Sequence, residues 1–539
     1  MSALVLYNGQ IYSLDPALPV AEALAIHHGR VVAIGSESQV RAAIAGIPRE
    51  TIDLRGQSAI PGLTDAHVHI TEQGLALREA RLGQATSLTQ AQAIIAECAA
   101  TLPQDTWLRG GGWDQTAWDH RWPHRRDLDA VCPDRPALLS RKDGHSLWVN
   151  SRAMELAGIT AATPDPEGGQ IQRDQDGQPT GIFIETAMEL IRAAVPPHTA
   201  AERLDALRAA QREALGYGIT SIHVVPATDH STGPNVLRDL QTLRAQGELT
   251  FRALVYLAYP DLEGAIHMGL RSGLGDHWLR IGGLKLFADG SLGSESAELL
   301  SPYEGRHHSG LATIDPELLD TTVRRANLHG ISLAIHAIGD GANRKVLDAF
   351  ERAAADRRAA GSGAAPLTLP NRIEHVQLIH PDDLPRLAKL AVIASMQPIH
   401  CTSDIEAADL LWGERCTHAY AWRSLHDSGA TLAFGSDAPV ESMNPWLGIH
   451  AATRRQRPNG FPRAGWYTEQ CLDTTTAIRA YCHGPAIASG EADVKGRLTV
   501  GSLADLVLLN ADPLLCDPSD LHTITAVMTI VDGKVVYER

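Results

Sequence analysis

Residues 59–70 read Ala-Ile-Pro-Gly-Leu-Thr-Asp-Ala-His-Val-His-Ile, an apolar run that ends in two histidines, His67 and His69. On an extended strand, residues two apart point to the same face, so both imidazoles would project together. Neutral imidazoles are good zinc ligands when further ligands come from elsewhere in the chain. An isolated His-x-His is more often part of an ordinary strand, because short motifs match by chance. The stretch therefore predicts a metal site only if later strands also end in ligands.

Further apolar stretches follow the histidine pair, with helix-like segments between them. They are residues 218–224, 251–256, 279–287, 331–336, 372–376, 392–397 and 431–437. With the first strand they make eight, and eight apolar strands that alternate with helices are typical of a parallel barrel. We therefore predict an α/β fold built on a (β/α)8 TIM barrel, whose catalytic residues lie at the carboxyl ends of several strands.

Residues that can bind a metal end most of these strands. They are His67 and His69 on the first strand, Lys285 on the fourth, His336 on the fifth, His375 on the sixth and Asp437 on the eighth. Each has a structural alternative: His375 as a core histidine, Lys285 as an ion-pair partner, Asp437 as a helix N-cap. Independent structural accidents would not be restricted to metal-binding residue types, so we predict that all six are metal ligands.

Both ends of the chain read as short alternating strands with turn signals between them. The dipeptides Asn8-Gly9 and His28-Gly29 supply the positive φ that tight hairpins require. Because similar β-rich ends flank the alternating middle, we predict a small β-sandwich domain built from residues 1–57 and 485–539. The barrel is assigned to residues 58–75 and 201–484.

Residues 76–200 differ in composition and are predicted to be an insertion, or lid, after the first barrel strand. Five of the ten tryptophans lie here, at positions 107, 113, 118, 122 and 148. Large aromatic side chains often form a core. The alternative is an apolar lid over the site, with Trp113 and the segment Asp143-Gly144-His145 as candidate substrate contacts. The sequence leaves both interpretations open.

Composition excludes several classes of protein. The net charge is −16, and Lys and Arg do not cluster, so no nucleic-acid partner is expected. The first Lys or Arg is Arg30, and no apolar run has the length of a membrane span, so we expect a cytoplasmic protein without a membrane partner. The seven cysteines include no Cys-x-x-Cys pair, which favours reduced thiols over a thiolate zinc site.

The ordered ligand pattern resembles the binuclear type of the amidohydrolase superfamily. That resemblance implies a carboxylated lysine, here Lys285, that bridges two metals. Four segments, residues 112–114, 143–146, 285–294 and 434–440, are similar to the YtcJ-like branch, of which N-substituted formamide deformylase is a named relative. The resemblance covers nearly the whole chain, including residues 496–506 near its end.

A metal-dependent hydrolase is the function that this resemblance and the ligand set predict. The expected cofactor is Zn²⁺, as one or two divalent ions, with Lys285 a candidate for N6-carboxylation. A divalent metal lowers the pKa of bound water to ~7. Asp437 would act as general base and then general acid, and His145 would stabilise the oxyanion. The expected substrate contacts are Trp113, Asp289 and His145.

The expected substrate is a small N-acyl or N-formyl amine, cleaved at its C–N bond. Alternatives are a deaminase, a lactone or ester hydrolase, or a non-catalytic barrel scaffold, which would lack ligands. The chain is also a candidate to form a homodimer. Neither a Gly-x-Ser-x-Gly nucleophile motif nor a phosphate-binding Gly-rich loop occurs, which disfavours serine hydrolase and nucleotide chemistry.

Overall fold

A computed structural model describes residues 2–103, 106–115, 118, 121–141, 146–226 and 233–539. The chain divides into two compact units, Met1–Gln73 with Leu207–Arg539, and Gly74–Ala206. The first unit contains the barrel strands and both ends of the chain, and the second is inserted after the first barrel strand. Among the described residues, no helix has both the length and the apolar character that crossing a membrane requires.

The N-terminal segment contributes strands to two different sheets. Its elements are β1 (Ala3–Tyr7), β2 (Gln10–Tyr12), β3 (Val20–Ala21), β4 (Ala23–His27), β5 (Arg30–Gly35), α1 (Glu37–Ala43), β6 (Arg49–Asp53) and β7 (Ser58–Pro61). The hairpin predicted at His28-Gly29 is confirmed, because β4 and β5 pair on either side of it. The hairpin predicted at Asn8-Gly9 is wrong. Asn8 does have a positive φ of 57°, but this turn carries the chain from one sheet to the other.

The stretch at residues 59–70 contains two strands where the sequence predicts one. β7 belongs to a terminal sheet, β8 (Leu63–Val68) is the first barrel strand, and α2 (Ile70–Ala76) follows. Gly62 separates the two strands. A Cβ at this position would lie 2.2 Å from Oγ1 of Thr220, so no larger residue fits without displacing that side chain. This apolar run therefore contributes one strand to each of two sheets.

The inserted unit has its own six-stranded sheet. Its elements are β9 (Ala80–Arg81), α3 (Leu88–Thr101), β10 (Leu108–Trp113), α4 (Arg125–Asp129), β11 (Ala137–Arg141), β12 (Ser146–Val149), α5 (Ser151–Leu156), β13 (Gly169–Arg173), β14 (Pro179–Glu185) and α6 (Met188–Arg192). The strand order is β13-β14-β12-β11-β10-β9. Trp113, Trp118 and Trp148 pack in its hydrophobic core with Leu108 and Leu139. Three of the five tryptophans are thus core, as one of the two interpretations expected, whereas Trp122 is 37% exposed.

The chain then alternates between strands and helices. These elements are α7 (Ala200–Gly216), β15 (Ile219–Val224), α8 (Gly233–Ala245), β16 (Arg252–Ala258), α9 (Leu262–His267), β17 (Leu279–Phe287), α10 (Pro316–Leu328), β18 (Leu333–Ala337), α11 (Asp340–Ala360), β19 (Arg372–His375), α12 (Leu384–Leu390), β20 (Ile393–Met396), α13 (Pro398–Trp412), α14 (Trp422–Asp427), β21 (Leu432–Phe434), α15 (Pro445–Arg454) and α16 (Thr474–Ala488).

The barrel sheet has eight strands in the order β8-β15-β16-β17-β18-β19-β20-β21, and every neighbouring pair is parallel. Two backbone hydrogen bonds link its first and last strands at the carboxyl edge. The N–H of Asp437 donates to the carbonyl of His67 at 2.8 Å, and the N–H of His69 donates to the carbonyl of Ala438 at 3.0 Å. These bonds nearly close the sheet where the predicted ligands lie, and the predicted (β/α)8 barrel is confirmed.

The C-terminal strands complete the sheet that contains β7. They are β22 (Leu506–Leu509), β23 (Ala526–Val531) and β24 (Lys534–Glu538), and the strand order is β24-β23-β22-β7-β2-β3. Leu6 of the other terminal sheet shares a hydrophobic core with Ile11 and Leu506 of this one, which makes the predicted small sandwich. The division into separate domains at residues 57–58, 75–76, 200–201 and 484–485 stays a prediction.

Candidate metal centre

The structure brings the six predicted ligands together around one cavity of about 510 Å³. Four of them end or nearly end the strands β8, β17, β18 and β19, and the other two lie just beyond the ends of β8 and β21. The ring centroids of His67 and His375 are 5.0 Å apart, and those of His336 and His375 are 4.5 Å apart. Side chains from five strands therefore converge, although they are far apart in sequence.

Asp437 lies at the centre of this cluster. One carboxylate oxygen is 3.3 Å from Nε2 of His67 and 3.0 Å from Nε2 of His69. The other oxygen is 3.3 Å from Nε2 of His400, a residue in the first turn of α13. Asp437 is not a helix N-cap, because the next helix begins at Pro445 and is capped by Asn444. The structural alternative for Asp437 therefore does not hold.

Each of the four predicted histidine ligands has one ring nitrogen engaged with an oxygen of the protein. These contacts are Nδ1 of His67 with Glu374 at 2.5 Å, Nδ1 of His69 with the carbonyl of Val225 at 3.0 Å, Nδ1 of His375 with the amide oxygen of Gln397 at 2.7 Å, and Nε2 of His336 with the carbonyl of Gly290 at 2.9 Å. An oxygen acceptor fixes the proton on the engaged nitrogen. The second nitrogen then carries a lone pair, which is the usual arrangement of metal-binding histidines.

Lys285 is fully buried, and its ammonium nitrogen has no hydrogen-bond partner among the described residues. The ring centroid of Phe287 is 4.8 Å from Nζ. Burial lowers the pKa of Lys285 to about 8, although Glu374 and Asp437 act in the opposite direction. A buried amine without a partner does not suit a structural ion pair. It fits a group that is modified or that faces a ligand.

The donor set as a whole fits a divalent metal. Imidazole nitrogens and a carboxylate are typical zinc ligands. The described part of the chain contains two groups of three such residues, and within each group the ligand atoms all lie within 4.8 Å of one another. One group is His67, His69 and Asp437, and the other is His375, His400 and Asp437. The shared carboxylate means that these groups are adjacent. The site could therefore hold one ion or two.

Asp289 is held by backbone hydrogen bonds, and its role as a substrate contact stays a prediction. Its buried carboxylate accepts hydrogen bonds from the backbone N–H groups of Glu298 at 2.9 Å, Ile338 at 3.0 Å and Gly339 at 2.8 Å. Burial raises its pKa to about 7, and these hydrogen bonds oppose the rise. Asp289 also lies 3.4 Å from Nε2 of His336. Its carboxylate oxygens therefore hold together the loops that follow β17 and β18, through their backbone N–H groups.

Trp113 is likewise a core residue in this structure. Its ring is completely buried in the inserted unit, 6.3 Å from the ring of Trp148, and its N–H donates to the carbonyl of Leu139 at 2.9 Å. The contacts of Trp113 are those of a packed core residue, and its role as a substrate contact stays a prediction. The third predicted contact, His145, lies with Asp143 and Gly144 outside the described residues.

A packing role for Trp113 predicts a large effect on stability. Trp113→Ala should lower the free energy of unfolding of the inserted unit by about 3 to 5 kcal/mol, because it removes a buried aromatic ring. Denaturant titration monitored by fluorescence measures this. Trp122→Ala is the matched control, since the ring of Trp122 contacts Trp113 but is 37% exposed, and its loss should cost much less. A Trp113→Phe variant with near-normal stability and a strongly raised KM would contradict the packing role.

Sequence reasoning missed two residues of the cluster, Glu374 and His400. Glu374 stands directly before His375, and it shares a strand face with Arg372, so two charges lie on a strand whose four residues are all buried. That pattern was the available signal. His400 follows β20 by four residues, and the predicted strand ended at Gln397, so the polar residue after the seventh strand was not considered.

Comparisons with known proteins agree with this geometry. Residues 50–537 match the amidohydrolase family. The chain is 32% identical to Protein LONG AFTER FAR-RED 3 of Arabidopsis thaliana, over 99% of this chain and 91% of that protein. It is 31% identical to YtcJ of Bacillus subtilis (strain 168), an amidohydrolase by name, over 99% of both chains. Identity to the N-substituted formamide deformylase of Arthrobacter pascens is 28%, over 100% of this chain and 99% of the deformylase.

A solved structure is similar over almost the same length. The crystal structure of an uncharacterized metal-dependent hydrolase from Pyrococcus horikoshii OT3 has a TM-score of 0.78 and 30% sequence identity. The match covers 96% of this chain and 99% of that one. The matched region therefore includes the residues of the barrel, of the terminal strands and of the inserted unit.

Proposed function

Because this chain belongs to the amidohydrolase family, we propose that it is a metal-dependent hydrolase that cleaves the C–N bond of a small N-acyl or N-formyl amine. The observation that carries this proposal is the arrangement of the four histidines and Asp437 around one cavity. Each histidine has one ring nitrogen engaged with a protein oxygen, and the other ring nitrogens of His67 and His69 lie 3.3 and 3.0 Å from the carboxylate of Asp437. The name of the formamide deformylase relative supports the choice of a C–N bond.

The proposed ligands are the four histidines, Asp437 and Lys285, and the proposed metal is zinc. A bound divalent ion would supply an activated water and would polarise the carbonyl of the substrate. Lys285 can take part only without its proton, because an ammonium has no lone pair. Its burial favours that neutral form, and carboxylation would turn it into an anionic bridge between two ions.

Asp437 is proposed to move the proton. Its carboxylate would accept a proton from the attacking water and return it to the leaving amine, so one group acts as base and then as acid. His400 lies 3.3 Å from the second oxygen of Asp437 and lines the same cavity. It is a second candidate, besides His145, for the donor that stabilises the oxyanion.

The walls of the cavity favour a substrate with an apolar substituent. Phe287, Leu292, Ile338 and Val440 line it together with the ligand cluster. Apolar walls with a few polar groups at one end are typical of small-molecule sites. The polar end would hold the amide, and the apolar walls would hold its substituent.

The test combines metal analysis with a substrate panel. The protein is expected to contain zinc, to lose hydrolysis of N-acyl or N-formyl amines when a chelator removes the metal, and to recover it when Zn²⁺ is added back. Loss of the metal should also lower the melting temperature, because a ligand that binds only the folded state stabilises it. The panel includes amidines, lactones and esters. Release of ammonia from amidines, or cleavage of lactones alone, would contradict the assignment to N-acyl or N-formyl amines and favour the deaminase or lactonase alternative.

Replacement of Lys285 tests whether the site holds one metal ion or two. Lys285→Met should reduce the metal content from two ions per chain to one, measured by mass spectrometry, because the bridging anion is lost. The matched control is Lys495→Met, which removes another buried lysine whose Nζ donates to Oγ of Ser221 at 2.5 Å. That variant should keep both ions. A wild-type protein that holds one ion, unchanged in Lys285→Met, would contradict the bridge.

A further inference from the structure

A fully buried ion pair lies beneath the proposed metal centre. Arg372 and Glu374 both have an exposure of 0%. Nη2 of Arg372 donates to Oε2 of Glu374 at 2.9 Å, and Nε of Arg372 donates to Oε1 of the same carboxylate. The two residues are two apart on β19, so their side chains share one face of the strand. Both oxygens of Glu374 are thus held by a single guanidinium.

Glu374 connects this ion pair to a predicted ligand. The oxygen Oε2 lies 2.5 Å from Nδ1 of His67 and accepts a hydrogen bond from Oγ of Ser395 at 2.6 Å. With Nδ1 facing a carboxylate, His67 must present its Nε2 lone pair to the cavity. Rotation of the imidazole would break this contact. The carboxylate therefore fixes both the tautomer and the orientation of His67.

Arg372 fixes the backbone beside the same histidine. Nη2 of Arg372 donates to the carbonyl of Ala66 at 2.5 Å and to Oγ of Ser395 at 2.5 Å. Nη1 of Arg372 donates to Nδ1 of His223, 2.9 Å away on strand β15. Arg372 thus contacts β8 just before His67 and also holds the carboxylate that orients the ring. Two independent contacts determine where this ligand points.

A structural role alone does not explain why this ion pair also contacts His67. Burying two charges is costly, and replacing a buried ion pair with apolar residues is often neutral or stabilising. The protein contains a second buried pair for comparison. Arg252 donates to Asp505 at 2.6 and 2.9 Å, and Asp505 accepts a further hydrogen bond from the backbone N–H of Asp532. That pair joins β16 to the terminal strands and contacts no predicted ligand.

We propose that Glu374 and Arg372 are positioning residues that set the affinity of His67 for the metal. The inference rests on the proposed function, because it requires that His67 binds a metal. It goes further by assigning the strength of that binding to residues that contact neither metal nor substrate. Partners of this kind typically change metal affinity 10- to 100-fold.

The test measures Zn²⁺ affinity in the full-length protein by competition with a chromophoric chelator. Glu374→Gln should weaken zinc binding roughly 10- to 100-fold, because the amide is uncharged and its NH2 group would face a donor of His67 or Arg372 where the carboxylate has an acceptor oxygen. Arg372→Lys should weaken it in the same direction, since an ammonium cannot hold two oxygens and the carbonyl of Ala66 in a fixed fork. Asp505→Asn is the matched control, because it disrupts a buried Arg–carboxylate pair away from the cluster.

The melting temperature of each metal-free variant separates positioning from folding. We expect Glu374→Gln and Asp505→Asn to destabilise the metal-free protein similarly, while only Glu374→Gln weakens zinc binding. If Glu374→Gln fails to fold, Ser395→Ala takes its place as the test variant. It removes only the hydroxyl between Arg372 and Glu374, and it should weaken zinc binding roughly tenfold, the lower end of such effects. Unchanged zinc affinity in these variants, or an equal loss in Asp505→Asn, would overturn the inference. A wild-type protein that binds no zinc would instead overturn the proposed metal site.

Discussion

Asp437→Asn should reduce kcat by at least ~10² to 10⁴, while the protein keeps most of its metal. General acid and base groups typically contribute a factor of this size. The amide keeps the shape of the side chain and one acceptor oxygen, but it cannot carry a proton from water to an amine. The histidines would still be held by Glu374, Val225 and Gln397, so the remaining ligands should retain an ion. Steady-state kinetics and metal analysis on the same preparation measure both quantities.

A second carboxylate in the cavity provides the control. Asp404 also lines the cavity, but it is hydrogen-bonded to the hydroxyl of Tyr420 and does not lie between the histidines. Asp404→Asn should therefore affect kcat much less than Asp437→Asn does. Wild-type turnover in Asp437→Asn would reject the proton-transfer role. A complete loss of metal in that variant would show that its main role is binding.

The double variant His67→Ala with His69→Ala should lose most of its metal and all measurable hydrolysis. Two of the few neutral ligands disappear at once, and metal binding is coupled to the stability of the folded site. Both imidazoles lie within 3.3 Å of Asp437, so their loss leaves that carboxylate without its partners on β8. Mass spectrometry of the metal content and a thermal melt with and without Zn²⁺ measure the effect.

Two exposed histidines serve as the control for this variant. His307 and His308 lie on the surface after β17, and replacing both with alanine should leave metal content and turnover unchanged. A His67/His69 variant that keeps full zinc content would remove the basis for the proposed metal centre. It would also contradict the inference about Glu374 and Arg372, which depends on His67 as a ligand.

The barrel was predictable because its strands carry a repeated and local signal. Apolar strand segments alternate with helical segments, and this alternation can be read within short windows of sequence. In a parallel barrel, a polar residue at the carboxyl end of a strand lies at the face where the active site forms. The ligand cluster followed from this, since His336, His375 and Asp437 each come at or just after such an end. The family resemblance noted from these motifs is confirmed by the match over residues 50–537.

Other features depend on contacts that are distant in sequence and were not predictable in this way. The hydrogen bond between Glu374 and His67 joins residues 307 positions apart. The backbone hydrogen bonds that occupy Asp289 come from loops after β17 and β18, so its motif looked like a free polar group. Residue 62 has no room for a side chain because Thr220 lies against it, and nothing within residues 59–70 reveals that neighbour.

The role of the tryptophan cluster could not be predicted from the sequence, for a different reason. A large aromatic ring has the same composition signal whether it fills a core or lines a ligand site. Only the contacts of Trp113, with its N–H bonded to Leu139 and its ring against Trp148, distinguish the two. The segment with His145 lies outside the described residues, so its predicted role remains a prediction.

The sheet shared by the two ends of the chain has a consequence for synthesis on the ribosome. β7 pairs with β22, and Asp512 accepts hydrogen bonds from both Tyr12 and Ser58, which precede it by 500 and 454 residues. While the chain is being translated, β7 therefore has an unpaired edge until β22 emerges. Such edges pair readily with strands of other chains. Nascent chains of this protein should accordingly depend on chaperones, and fragments that stop before β22 should aggregate instead of folding.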